Sequence, residues 1–303
     1  MNKNIPDILY IETTNTCNAN CIFCAYQYDK RPKTTMPFEL LSKAVNEYKL
    51  AGGKKINFSP FAGEIFVDKD ILKKINYVHK VGFDLITTYT NALLFHKFKI
   101  EDILNSGLTK INISLSPPIE DIYLKIYRNK NYKQLMINIE TLLKSFNTKK
   151  EKTIKEISIE FRSNISMQEI EELKDYQTYI KPYLNDSIKV VCMKIFDSWM
   201  GMISQNDLLD GMSIKNHNFP KNTPCMRLNM LQIMANGDAR VCGCRYNNND
   251  YTTEDIFYVG NTYNENIIDI YNKKKVLDLK QSFIISTPPL ECQLCSWYEE
   301  IKL

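Results

Sequence analysis

Three cysteines stand in one short run, Cys17-Asn18-Ala19-Asn20-Cys21-Ile22-Phe23-Cys24, and no fourth lies nearby. Thiolates spaced by three and then two residues can wrap one corner of an iron-sulfur cubane, so one iron would keep an open position. Zinc sites usually pair their ligands in hairpins, which makes this run a better match to iron and sulfide than to zinc. A second group follows far downstream: Cys225, then Gly237 and Cys242, then Cys292 and Cys295. Four thiolates close either a 4Fe-4S cluster or a tetrahedral zinc site. In Cys242-Gly243-Cys244 either cysteine could be the ligand. Cys192, at the end of a β-branched run beside Val190, has two readings: a thiol pointing into a lumen, or a small buried hydrophobe.

The elements that must position these groups alternate. Between residue 8 and about 195, β-branched runs at Ile8 to Thr13, Lys55 to Ser59, Asp84 to Thr88, Lys110 to Ser116, Glu156 to Arg162 and Ser187 to Met193 are separated by helical patterns. Such an order builds a parallel sheet through right-handed crossovers. The helices include Pro37 to Leu50, with Pro in the first turn, and Met167 to Ile180, begun by Ser166 as N-cap.

One face of these strands is polar. Asn112, Ser114 and Ser116 share a side, as do Glu160 and Arg162, and Tyr10 with Glu12 and Asn57 with Ser59 continue the pattern. The expected fold class is α/β, a partial (β/α)6 TIM-like barrel with a polar lumen and its working face at the C-terminal strand ends. The alternative is a sheet with one solvated face, which parallel sheets rarely have. After Met193 the pattern breaks into a long connection. Leu228 to Met234 and Ala239 to Cys242, turned at Asn236-Gly237, then predict a β-hairpin, and a helix from about Ile267 to Phe283 leads to Cys292-Gln293-Leu294-Cys295. The expected division is 1–200 for the barrel and 201–303 for a linker and a small cysteine-centred domain.

With 303 residues, 24% charged and 44% hydrophobic, and a net charge of +4, the composition excludes a disordered tail protein and gives no support to a nucleic-acid partner. No apolar run reaches the ~18 residues of a membrane span, and no secretory segment opens the chain. A cytoplasmic location is expected, where closely spaced cysteines are more often metal or redox ligands than disulfides.

The first cysteine run, with the aromatic Phe23 before its third cysteine, resembles the signature of the radical S-adenosylmethionine (radical SAM) superfamily. Ala62-Gly63-Glu64-Ile65 looks like that family's Gly-Gly-Glu element, with Ala62 for the first Gly. Thr90-Asn91-Ala92 resembles its Thr-Asn-Gly turn, with Ala92 for Gly. Ile113-Ser114-Leu115-Ser116 matches the strand of the ribose contact, and Arg128 occupies the place of an arginine that pairs with the SAM carboxylate. The resemblance thus implies SAM contacts at Phe23, Gly63, Glu64, Asn91, Ser114, Ser116 and Arg128, and a 4Fe-4S cluster on Cys17, Cys21 and Cys24. The downstream cysteines resemble the family's twitch or SPASM auxiliary domain, implying a second 4Fe-4S cluster on Cys225, Cys242, Cys292 and Cys295. Cys242 is chosen over Cys244 because it keeps the family's spacing from Gly237.

The implied activity is hydrogen abstraction by a 5'-deoxyadenosyl radical, with a reductant such as flavodoxin or ferredoxin as partner. The barrel begins almost at residue 8, which favours a small substrate over a peptide. Glu12, Glu160 and Arg162 are available for hydroxyl or phosphate contacts, or else pair with one another. A sugar, aminocyclitol or nucleotide-sugar oxidised at a secondary alcohol is the expectation, with Glu160, Arg162 and Cys192 as candidate catalytic residues. Epimerisation, with Cys192 as hydrogen donor, and peptide maturation are alternatives. A non-catalytic iron-sulfur or zinc protein is the alternative of another class, set apart by the open iron of a three-cysteine site. Asp197-Ser198-Trp199-Met200-Gly201 is placed to cover the site or to anchor packing.

Overall fold

The computed structural model describes residues 3–60, 62–199, 201–216, 220–243 and 255–300. Six parallel strands form the body: β1 (Ile8–Ile11), β2 (Lys55–Asn57), β3 (Leu85–Thr90), β4 (Lys110–Leu115), β5 (Glu156–Arg162) and β6 (Ile188–Met193). A short pair, β7 (Ile195–Phe196) and β8 (Ser213–Ile214), follows, and then β9 (Met230–Ile233), β10 (Asp238–Arg240) and β11 (Tyr258–Asn261). The crossover helices are α1 (Phe38–Leu50), α2 (Ile71–Val81), α3 (Ile100–Leu104), α4 (Glu120–Tyr127), α5 (Tyr132–Thr148), α6 (Met167–Glu172) and α7 (Lys174–Tyr179). Helices α8 (Ile267–Tyr271), α9 (Lys274–Ile284) and α10 (Leu290–Gln293) close the chain. The expected partial barrel is present, with all six strands near their expected positions.

The register explains the two faces. Ile111 lies beside Ile157, Ile113 beside Ile159 and Leu115 beside Phe161, all fully buried against the helices. On the other face Tyr89 lies beside Asn112, Asn112 beside Ser158 and Ser114 beside Glu160.

The hairpin turns at Gly237, whose φ of +87° suits glycine. Its strand β9 pairs in parallel with β1, from Ile8 beside Met230 to Ile11 beside Ile233. The hairpin and β11 therefore extend the barrel's own sheet.

Three local expectations are corrected. Pro37 is the N-cap of α1 and not part of its first turn. The expected helix from Met167 breaks at Leu173, which is extended at ψ 136°. At about 100° per residue, a straight helix would put Ile170 and Tyr176 about 120° apart; the break lets both bury. The helix from Ile267 likewise breaks at Lys273, because α8 buries four of its five side chains whereas α9 buries a single stripe.

Candidate active site and cysteine centres

The first cysteine loop leaves β1 and is closed by its own residues. The Cys17 amide donates to the Tyr26 hydroxyl at 3.0 Å, and the Cys24 amide donates to the Cys21 carbonyl at 3.1 Å. Cys24 then caps the 3-10 turn Ala25–Tyr28, its sulfur accepting from the Tyr26 amide. The end of α4 braces the loop from behind. Asn20 and Ile22, on either side of Cys21, donate their amides to the Tyr127 and Ile126 carbonyls. Arg128, exposed and at φ +50°, donates to Gln27 Oε1, and Gln27 reaches the Ile22 and Cys24 carbonyls. Asn129 donates to the Asn18 carbonyl.

Burial pushes the Cys17 thiol up to about 12, with the negative charge of Glu64 the next contribution. Burial also raises Cys21 and Cys24, and Cys17 and Cys24 both raise Cys21, whereas Arg162 opposes the rise in Cys21 and Cys24. Three free thiols on one loop, each raised by burial, give up their protons to a metal more readily than to water, so the donor set fits an iron-sulfur centre.

Behind β2, Gly63 sits at φ +152°, and a Cβ there would stand 2.5 Å from the Thr14 carbonyl oxygen. Only glycine lets this turn reach the base of the cysteine loop. Glu64 is buried and bonded: Oε1 accepts from the Thr90 hydroxyl and the Phe66 amide, and Oε2 from the Asn91 amide at 2.8 Å. Burial nevertheless raises its carboxyl above the usual range. Asn91 donates through Nδ2 to Asn18, and Ala92 holds the left-handed φ of +58°. Thus the Glu64 and Asn91 turns lock to each other and to the cysteine loop.

The lumen wall is one connected set. The Tyr89 hydroxyl donates to Glu160 Oε1 at 3.0 Å, and Arg162 donates to Glu160 Oε2 at 2.9 Å and to Ser114 Oγ at 3.2 Å. Ser114 shares a 2.8 Å hydrogen bond with Tyr127, and the Arg162 guanidinium lies 6.0 Å from the Phe23 ring centroid. Ser116 is fully buried, its hydroxyl turned to the Pro117 carbonyl.

One expectation fails here, and one of the two readings of Cys192 is set aside. Glu12 does not face the lumen opening: it is wholly buried, gripped by Arg31 and accepting from the amides of Ala62 and Ala235. Cys192 lies beside Phe161 in the register, on the helix-facing side, and its thiol donates to the Ile165 carbonyl; Met193, beside Arg162, takes the lumen side.

Downstream, Cys225, Cys242, Cys292 and Cys295 line one small cavity whose other walls include Leu228, Phe257, Phe283 and Tyr298. The Trp297 amide donates to the Cys295 sulfur. Lys221, itself buried, donates its ammonium to the carbonyls of Cys292, Gln293 and Cys295 at 2.7–2.8 Å. Cys244 lies outside the described residues. Between the two centres, the Trp199 indole donates to the Phe23 carbonyl, and Ser198 donates its amide to the Ser296 hydroxyl. Met200 lies outside the described residues.

A family model for the Radical SAM superfamily matches residues 11–179, more than half of the sequence. The chain belongs to the radical SAM superfamily. Membership implies SAM and a 4Fe-4S cluster, and the three-cysteine loop suits both. The chain is 31% identical over 140 residues to GTP 3',8-cyclase of Clostridium botulinum (strain Hall), a stretch covering 45% of this chain and 43% of that protein. The match therefore spans less than half the length of such a relative. Among solved structures, Streptococcus suis SuiB bound to precursor peptide SuiA superposes with a TM-score of 0.68 at 15% identity, over 97% of this chain and 70% of that one. BtrN in complex with AdoMet and 2-DOIA gives 0.59 at 14% identity, over 94% and 89%. These two likenesses show the fold. Among the described residues, no helix is long and apolar enough to cross a membrane.

Sequence reasoning missed Arg31, Tyr26, Gln27, Asn129 and Lys221. Asn129 adjoins Arg128 and could have been found there; Lys221 carries no local signal, because its carbonyl partners lie about 70 residues away.

Proposed function

We propose that this radical SAM enzyme abstracts hydrogen from a small, polar, hydroxylated substrate, such as a sugar, aminocyclitol or nucleotide-sugar, and oxidises it at a secondary alcohol. The observation that carries the reading is the single cavity lined by Cys225, Cys242, Cys292 and Cys295. Four thiolates around one centre leave no position for substrate, which suits an electron acceptor. When bound, two 4Fe-4S clusters and SAM supply the source and sink of electrons and a carbon radical able to take hydrogen from a C–H bond.

The chain's own residues hold and orient. Cys17, Cys21 and Cys24 would hold the first cluster with three ligands, a set that would leave room for SAM. Gly63, Asn91, Ser114 and Phe23 are its SAM contacts and Arg128 is the partner for the carboxylate; of the other two expected contacts, Ser116 is wholly buried with its hydroxyl on the Pro117 carbonyl, and Glu64, both oxygens engaged, positions the Asn91 turn. The paired Glu160 and Arg162 offer an acceptor and a donor side by side, a match for hydroxyl or phosphate groups and a poor one for an apolar molecule. Flavodoxin or ferredoxin is the proposed reductant.

A purine nucleotide is the second substrate class, favoured by the 31% identity to GTP 3',8-cyclase. Anaerobically reconstituted protein with SAM and reductant would be offered aminocyclitols, nucleotide-sugars and GTP, with 5'-deoxyadenosine and product mass followed. A product lacking two hydrogens supports oxidation. A cyclised nucleotide of unchanged mass replaces it with the second reading.

A further inference from the structure

Tyr123, in α4, is fully buried, yet its hydroxyl has no hydrogen-bond partner among the described residues. A phenol left so is costly unless an acceptor outside the polypeptide receives its hydrogen bond. Its neighbours indicate what that is. One turn further along α4, the Ile126 and Tyr127 carbonyls receive the amides of Ile22 and Asn20, which flank Cys21. The Tyr123 ring stacks on Tyr127 at 5.1 Å between centroids, and Tyr127 meets Phe23, next to Cys24, edge-on at 5.7 Å. Tyr127 spends its hydroxyl on Ser114; Tyr123 does not. Burial, and after it the charges of Cys21 and Cys17, hold the Tyr123 phenol far above its usual range, so it remains a donor at neutral pH.

We propose that the Tyr123 hydroxyl donates a hydrogen bond to a sulfur of the cluster held by Cys17, Cys21 and Cys24, and so makes that cluster easier to reduce. The inference rests on the assignment of those cysteines to a 4Fe-4S cluster. Hydrogen bonds to cluster sulfurs raise the reduction potential, because they stabilise the additional negative charge of the reduced state.

The test uses the full-length, iron-reconstituted protein and the EPR signal that responds to added SAM, which isolates the first cluster. Tyr123→Phe should keep its iron and its melting temperature. It should lower the reduced-to-oxidised ratio at a fixed potential about tenfold, a shift of about 59 mV for one electron. Fluorotyrosine at position 123, a stronger donor of nearly the same shape, should shift the potential upward. In heavy water, pulsed EPR should detect, beyond the Tyr26 amide deuteron on Cys24, an exchangeable deuteron coupled to the cluster that is lost in Tyr123→Phe. Full iron with an unmoved potential in Tyr123→Phe overturns the role of Tyr123. Should that variant fail to fold, a potential unmoved by fluorotyrosine at position 123 overturns it. A protein that takes up no iron overturns instead the assignment of the cysteines.

Discussion

Arg31 grips Glu12 with both terminal nitrogens, at 3.0 and 3.2 Å, and the same guanidinium reaches Asp29 at 2.9 Å. Because Glu12 also accepts from Ala62 and Ala235, this pair ties the cysteine loop, β1, the Gly63 turn and the hairpin together. Arg31→Met would strand a buried carboxylate and should cost about 3–5 kcal/mol in chemical denaturation.

The same contact makes an acid limb. Although burial would raise the Asp29 carboxyl, Arg31's hydrogen bonds and charge hold it below its ordinary value. A depressed carboxyl contributes stability above its unfolded pKa of about 3.9, and that contribution is lost as pH falls through the folded value. Asp29→Asn should therefore lower the urea midpoint at pH 7 and flatten its fall on acidification. An unchanged acid limb would refute this.

Iron content separates the two cysteine centres. Cys17, Cys21 and Cys24 replaced together by Ala should leave about half the iron and no SAM cleavage. Lys221→Met, which removes the ammonium from the Cys292 and Cys295 carbonyls, should weaken retention of the remaining half against a chelator. Zinc in the downstream site would replace the second-cluster proposal.

SAM binding should respond to the turn behind β2. Gly63→Ala forces a Cβ against the Thr14 carbonyl, and Glu64→Gln removes a charged acceptor from Asn91. Each should weaken SAM affinity in anaerobic calorimetry by about 1–3 kcal/mol, with iron unchanged for Glu64→Gln. Equal affinity in both would show that SAM binds elsewhere.

Cys192→Ala should remain active, and product formed in deuterated solvent should carry no label at the reacting carbon. Its thiol faces the helices beside Phe161. Solvent deuterium that disappears in the variant would restore the epimerase alternative.

The contrast between Cys192 and Glu160 shows which parts of the site are legible in the sequence. β5 alternates strictly, so the period of two by itself puts Glu160 and Arg162 on the polar face. In β6 the run Val190-Val191-Cys192-Met193 is apolar on both sides, and only pairing with β5 decides that Met193, and not Cys192, accompanies Arg162. Glu64 is legible as a residue of interest but not as a buried one, because its partners Thr90 and Asn91 come from the next crossover. Arg31 lies in a loop without period, 19 positions from Glu12, and nothing local links them.

The link from Phe23 through Trp199 and Ser198 to Ser296 has a bearing on biogenesis. Ser296 lies 98 residues beyond Ser198, so during synthesis the anchor of this strap arrives long after the first cysteine loop has emerged. β9, which seals the open side of β1, is also a late arrival. A nascent chain thus carries Cys17, Cys21 and Cys24 long before the residue that fastens the strap has been made.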